Sequence, residues 1–171
     1  QAAALTTAQI NQGLSTAQIA ALEAQDIAAL TTANLLALTT GQVRQGLTTT
    51  QVAALTTAQV ATLTTAQLAQ GLTTAQVAAM ETVDVAALKT YQIAALTTTQ
   101  VAQGLTASQI AQGLSTSQVR SLTSAGIAAL TTTQVDAFST VQLAQGLSTG
   151  QVAALTTAGI ARLGVVADLS L

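Results

Sequence analysis

The chain has 171 residues, half of them hydrophobic and only 6% charged, with four basic and six acidic side chains and a net charge of −2. Arg44, Lys89, Arg120 and Arg162 are scattered, so no basic patch exists to neutralise phosphates and nucleic-acid binding is not expected. Cys, His and Pro are absent, which removes disulfides, thiolate nucleophiles and the commonest transition-metal ligands; Thr and Gln also break every apolar stretch, so no membrane span is expected.

From Leu5 to Leu163 a large apolar residue recurs every eight or nine residues, Leu at all but Met80 and Phe138. Self-similarity at a fixed period is the signature of a repeat array. The first unit reads Leu5-Thr6-Thr7-Ala8-Gln9-Ile10. A Ser or Thr followed three residues later by Gln is a capping box. The Thr6 hydroxyl accepts from the N–H of Gln9, and the Gln9 side chain reaches back to the N–H of Thr6. Leu5 before the cap and Ile10 at the fourth helical position then form a hydrophobic staple. Every unit therefore carries a helix-start signal.

Further along, the residue after the Leu is Ser or Thr in 16 of 19 units, with Glu23, Glu81 and Lys89 as exceptions. The box position is Gln in 14 of 19, with Asp26, Asn34, Asp84, Gly126 and Gly159 departing, and the next residue is always aliphatic. Glu23 with Asp26, and Glu81 with Asp84, place negative charge at the positive end of a helix. Six units have nine residues and close on Gly13, Gly46, Gly71, Gly104, Gly113 and Gly146. A left-handed glycine ending each helix is expected there, with the extra residue correcting the phase of a superhelix.

One continuous helix is disfavoured, because an eight-residue step rotates the apolar stripe by roughly 80° per unit and no single face stays buried. A β-solenoid is the alternative: Thr favours strands, but Ala-Gln-Val-Ala-Ala lacks period-two alternation. The preferred reading is all-α, a repeat solenoid or superhelix of very short capped helices. Such helices cannot persist alone in water, so each must pack two aliphatic side chains into a shared core. Residues 1–171 read as a single array, with an atypical C-terminal stretch at 164–171 where Asp168 replaces an aliphatic. The chain is expected to be a processed product or part of a longer protein.

Catalytic chemistry is sparse. The acidic pairs Glu23/Asp26 and Glu81/Asp84 could form a calcium site or an acid/base pair, but both fall in register on capping positions, and no calcium-loop pattern surrounds them. No catalytic, cofactor-binding or metal site is assigned, and the chain is not expected to be an enzyme. Phe138 is expected in the core in place of Leu, and Tyr91 on an outer position. With the first hydroxyl of each unit engaged in capping, the second is the better candidate for O-linked sugar.

The LTTAQ core at 55–59 and 72–76, with the variants METVDVAAL at 80–88 and LSTAQIAAL at 14–22, resembles the LTTAQ-type repeats of very large secreted bacterial surface proteins of adhesin-like character. The resemblance covers residues 5–163. The L-T-x-x-Q start is also locally similar to LTxxQ periplasmic chaperones, whose longer helices and charged surfaces are missing here. The first resemblance implies export, a cell-surface location and a structural or adhesive role. The expected function is an extracellular structural repeat protein, either an adhesin stalk or a filament subunit that self-associates. The alternative is a Thr-rich binding surface for ice or polysaccharide.

Overall fold

The computed structural model describes residues 4–155. The expectations for Gly159, Leu163 and the stretch 164–171 lie outside the described residues. Within them the chain is a tandem array of helices four to seven residues long, from Gln9–Gly13 and Thr16–Ala20 to Thr149–Ala154, with no strand. The all-α repeat solenoid is the fold, and the β-solenoid is set aside.

Each helix starts where the sequence says it should. Ser15 has extended backbone, its hydroxyl accepts from the N–H of Gln18, and the Gln18 side chain accepts from the N–H of Ser15. The same reciprocal box opens the helices that begin at Thr40, Thr49, Thr57, Thr74, Thr116, Thr132 and Thr149. A cap of this kind contributes about 1 kcal/mol, enough to matter for a helix of one turn and too little to hold it alone.

Packing supplies the rest. The recurring Leu and the aliphatic that follows the box fill one continuous core, including Ile19, Leu47, Val60, Leu63, Ile93 and Val119, while Val152 is exposed. Phe138 occupies its Leu position in that core, as expected. Burying a side chain of this size contributes roughly 1.5–3 kcal/mol, so each unit adds two such terms.

The superhelix closes on itself between three and four units later. Thr40–Gly46 packs on Thr16–Ala20, and Gln67–Gly71 packs on Thr40–Gly46, in each case the third unit along. The side chain of Gln42, by contrast, reaches Ile10 of the fourth unit back. One turn thus consumes about thirty residues, and the sequence period alone does not contain that number.

The glycine-ended units differ from the expected left-handed stop, since no residue, glycine included, has positive φ among the described residues. In most of them the extra residue is absorbed instead by widening the helix, whereas the Gly46 unit keeps an α-helix, Thr40–Gly46. Gln67–Gly71, Gln100–Gly104, Gln109–Gly113 and Gln142–Gly146 are π-helical turns. The N–H of Leu72 donates to the Gln67 carbonyl five residues back at 2.8 Å, and Leu105 repeats this with Gln100 at 2.9 Å. A π turn accommodates one inserted residue without breaking the helix. Glycine is needed for a second reason: a Cβ on Gly71 would lie 3.0 Å from Val43 Cγ1, and one on Gly104 would lie 3.1 Å from Val77 Cβ. These glycines are the points where one turn rests on the turn beneath.

Candidate functional site

The most ordered chemistry in the molecule is a ladder of buried glutamine side chains. Gln51, Gln59, Gln67, Gln76, Gln92, Gln100, Gln109 and Gln118 are all buried. Burying an amide without partners would cost on the order of 1–3 kcal/mol. Here every hydrogen-bonding group is used. Gln100 Oε1 accepts from the N–H of Thr97 at 2.9 Å, while Gln100 Nε2 donates to the carbonyls of Leu68 and Leu72, both at 2.7 Å. Gln51 does the same with Thr48, Ile19 and Leu22 at 2.8, 2.8 and 2.7 Å. Among the described residues no buried side-chain nitrogen or oxygen lacks a partner.

The accepting carbonyls belong to the end of the helix one turn below. Helix ends leave carbonyls without intrahelical partners. Each glutamine therefore caps two helices at once, the start of its own and the end of the one beneath. This explains why the box residue is Gln and never Glu. A carboxylate can complete the box, but it has no N–H to offer the lower turn.

The departures from glutamine show what the ladder needs. Asn34, one methylene shorter, keeps a single bond from Nδ2 to the Leu5 carbonyl at 2.9 Å. Gly126 keeps the backbone half of the cap, its N–H donating to Thr123 Oγ1 at 3.0 Å, and has no side chain for the rung. Asp84 occupies a rung with only 2% of its surface exposed. Its carboxyl is pushed up to about 6, chiefly by burial and then by the charge of Glu81, partly offset by a hydrogen bond from the Glu81 backbone.

The acidic pairs fall on the capping positions expected for them, and the side chains of Glu23 and Glu81 make no cap hydrogen bond. Asp26 is half-buried in the first turn. Among the described residues no group of three or more acidic side chains converges as a metal ion would require. Tyr91 lies outside, 54% exposed, with the Lys89 ammonium 5.8 Å from its ring centroid. No helix of the described residues is long and apolar enough to cross a membrane.

Two arginines tie neighbouring turns at the surface. Arg120 Nη2 donates to the Gln145 carbonyl at 2.7 Å, and Arg44 Nη1 makes a longer bond of 3.5 Å to the Gln70 carbonyl. Each reaches the residue before a turn-closing glycine. Above Arg44 an open groove of about 460 Å³ is lined by Thr73, Thr74, Thr99 and Gln103 among others. Sequence reasoning missed the ladder, the groove and the burial of Asp84. The predominance of Gln, 14 of 19 units, and the absence of Glu at a position where a capping box also accepts Glu were the available signal for the first.

No curated protein and no solved structure was found to match the chain. A sequence profile of the ALTTAQ repeat matches residues 19–57, 77–112 and 112–140, more than half of the chain. Those stretches include the rungs Gln51, Gln92, Gln109 and Gln118 with their boxes and core positions, and the chain belongs to the ALTTAQ repeat family.

Proposed function

We propose that the chain is an extracellular structural element, a segment of an adhesin-like stalk or a subunit that assembles into a filament. The ladder carries this reading. Every turn offers the next one free helix-end carbonyls and receives from it two-pronged amide donors, so the architecture extends by adding units and needs no closure. Rigidity along one axis with little charge is what a spacer requires. The second-position hydroxyls of the units, such as Thr49, Thr57, Thr65 and Thr98, are exposed, which suits a solvated or sugar-bearing outer wall.

Labelling of intact producer cells with an antibody to the repeat, together with small-angle scattering of one, two and three fused copies of residues 4–155, tests the reading. Surface labelling and a length that grows linearly with copy number are expected. Labelling only after lysis, or compact particles whose length does not grow, would overturn the stalk. Sedimentation at rising concentration separates the stalk from the filament subunit.

A second reading, a polysaccharide-binding surface, is favoured by the groove beside Arg44, where hydroxyl and amide groups surround one cation. A glycan array, with Arg44→Gln as control, tests it. Silence on the array removes it.

A further inference from the structure

We infer that Asp84 makes one rung of the ladder an acid-closed joint, which holds its two turns together when protonated and loosens them when ionised. The inference rests first on place. At every neighbouring rung the side chain donates to carbonyls about 32 and 29 residues earlier: Gln92 to Val60 and Leu63, Gln109 to Val77 and Met80. The same register sets Asp84 over the carbonyls of Val52 and Leu55. A carboxylate has nothing to donate to a carbonyl, whereas a carboxylic acid has one O–H.

The second observation is the absence of a counter-charge. Thr82–Ala87 packs against Thr57–Val60 and Gln109–Gly113, and neither segment contains a charged residue. From above, Gln118 donates to the carbonyls of Val85 and Leu88. The cation on that helix, Arg120, is bonded to the Gln145 carbonyl. Lys89 lies over the Tyr91 ring. The charge that acts on Asp84 is that of Glu81, of like sign. Ionising Asp84 therefore places an anion inside the wall with one backbone hydrogen bond from Glu81 and no counter-charge, a costly arrangement.

The direction follows. The Asp84 carboxyl titrates near 6 in the folded chain, against 3.8 as its ordinary value. A raised acid favours folding while protonated, so its contribution is complete below about 4 and disappears as pH rises through about 6. A shift of about two units corresponds to a change on the order of 100-fold in the opening equilibrium of this joint.

Hydrogen exchange of the intact chain, corrected for intrinsic rates, tests this at residues 80–88 and 47–55 between pH 4 and pH 8. Opening that increases on the order of 100-fold with a midpoint near pH 6 is expected. In Asp84→Gln the opening is expected to stay constant and as rare as in the native chain at pH 4. A native profile flat across this range, or a variant that keeps the native slope, overturns the inference. Carbon NMR of the Asp84 carboxyl reads the same transition without a variant: a midpoint near 6 supports the joint, and one near 4 overturns it.

Discussion

Gln76 Nε2 donates to the carbonyl of Val43 at 2.9 Å, a partner 33 residues away in sequence and directly below in space. Its Oε1 meanwhile accepts from the N–H of Thr73 at 2.7 Å. One side chain thus starts a helix and ties off another. Repeated along the chain, this pairing turns marginal one-turn helices into a continuous wall.

Replacing Gln76 by Glu keeps the cap acceptor and removes the donor. Two buried carbonyls, those of Val43 and Leu47, then lose their partner. Unsatisfied buried groups cost about 1–3 kcal/mol each, so Gln76→Glu is expected to lower stability by roughly 2–6 kcal/mol in urea unfolding at pH 8. The cost should shrink in acid, where the carboxyl regains a hydrogen. Equal loss at both pH values would point to packing alone.

Glycine substitutions should split by place. Gly71→Ala and Gly104→Ala put a methyl 3.0–3.1 Å from Val43 or Val77, and overpacking of this kind costs roughly 1–3 kcal/mol. Gly150→Ala meets nothing within 4 Å in the helix Thr149–Ala154 and should stabilise by roughly 0.4–1 kcal/mol. Thermal melts of the three variants check the order.

The two hydroxyls of a unit should behave differently as well. Thr48 caps the helix Thr49–Ala53 through the N–H of Gln51, so Thr48→Ala should cost about 1 kcal/mol. Thr49 is exposed, and Thr49→Ala should change stability by less than about 0.5 kcal/mol. Read by mass spectrometry on chain isolated from its producer, Thr48→Ala should leave the O-linked sugar of this unit unchanged, and Thr49→Ala should remove any that the unit carries.

Much of this architecture is local, and local features can be read directly. The unit length, the box at Ser15 and Gln18, the core role of Leu63 and Val60 and the replacement of Leu by Phe138 all follow from neighbours within six residues. The reach of Gln76 to Val43 does not. It depends on the radius of the superhelix, which emerges from packing between third-neighbour helices. Glycine was misread for a related reason. Gly71 looks like a helix stop by its position, but its constraint comes from Val43 on the turn below. Asp84 reads as a cap charge along the chain, and only the stacked turns reveal that it is enclosed.

Helix content is the coarsest check. Far-UV circular dichroism should show the double minimum of a helical chain, weakened by the shortness of each segment; a single strand-type minimum would exclude the helical solenoid.

A finer measurement decides whether glutamine joins successive turns: NMR on selectively labelled chain, following the side-chain amide of Gln100. Contacts from its Nε2 protons to Leu68 and Leu72, with slow exchange against solvent, are expected from the 2.7 Å bonds to both carbonyls. Rapidly exchanging protons with contacts only to Thr97 and the rest of its own unit would contradict the ladder.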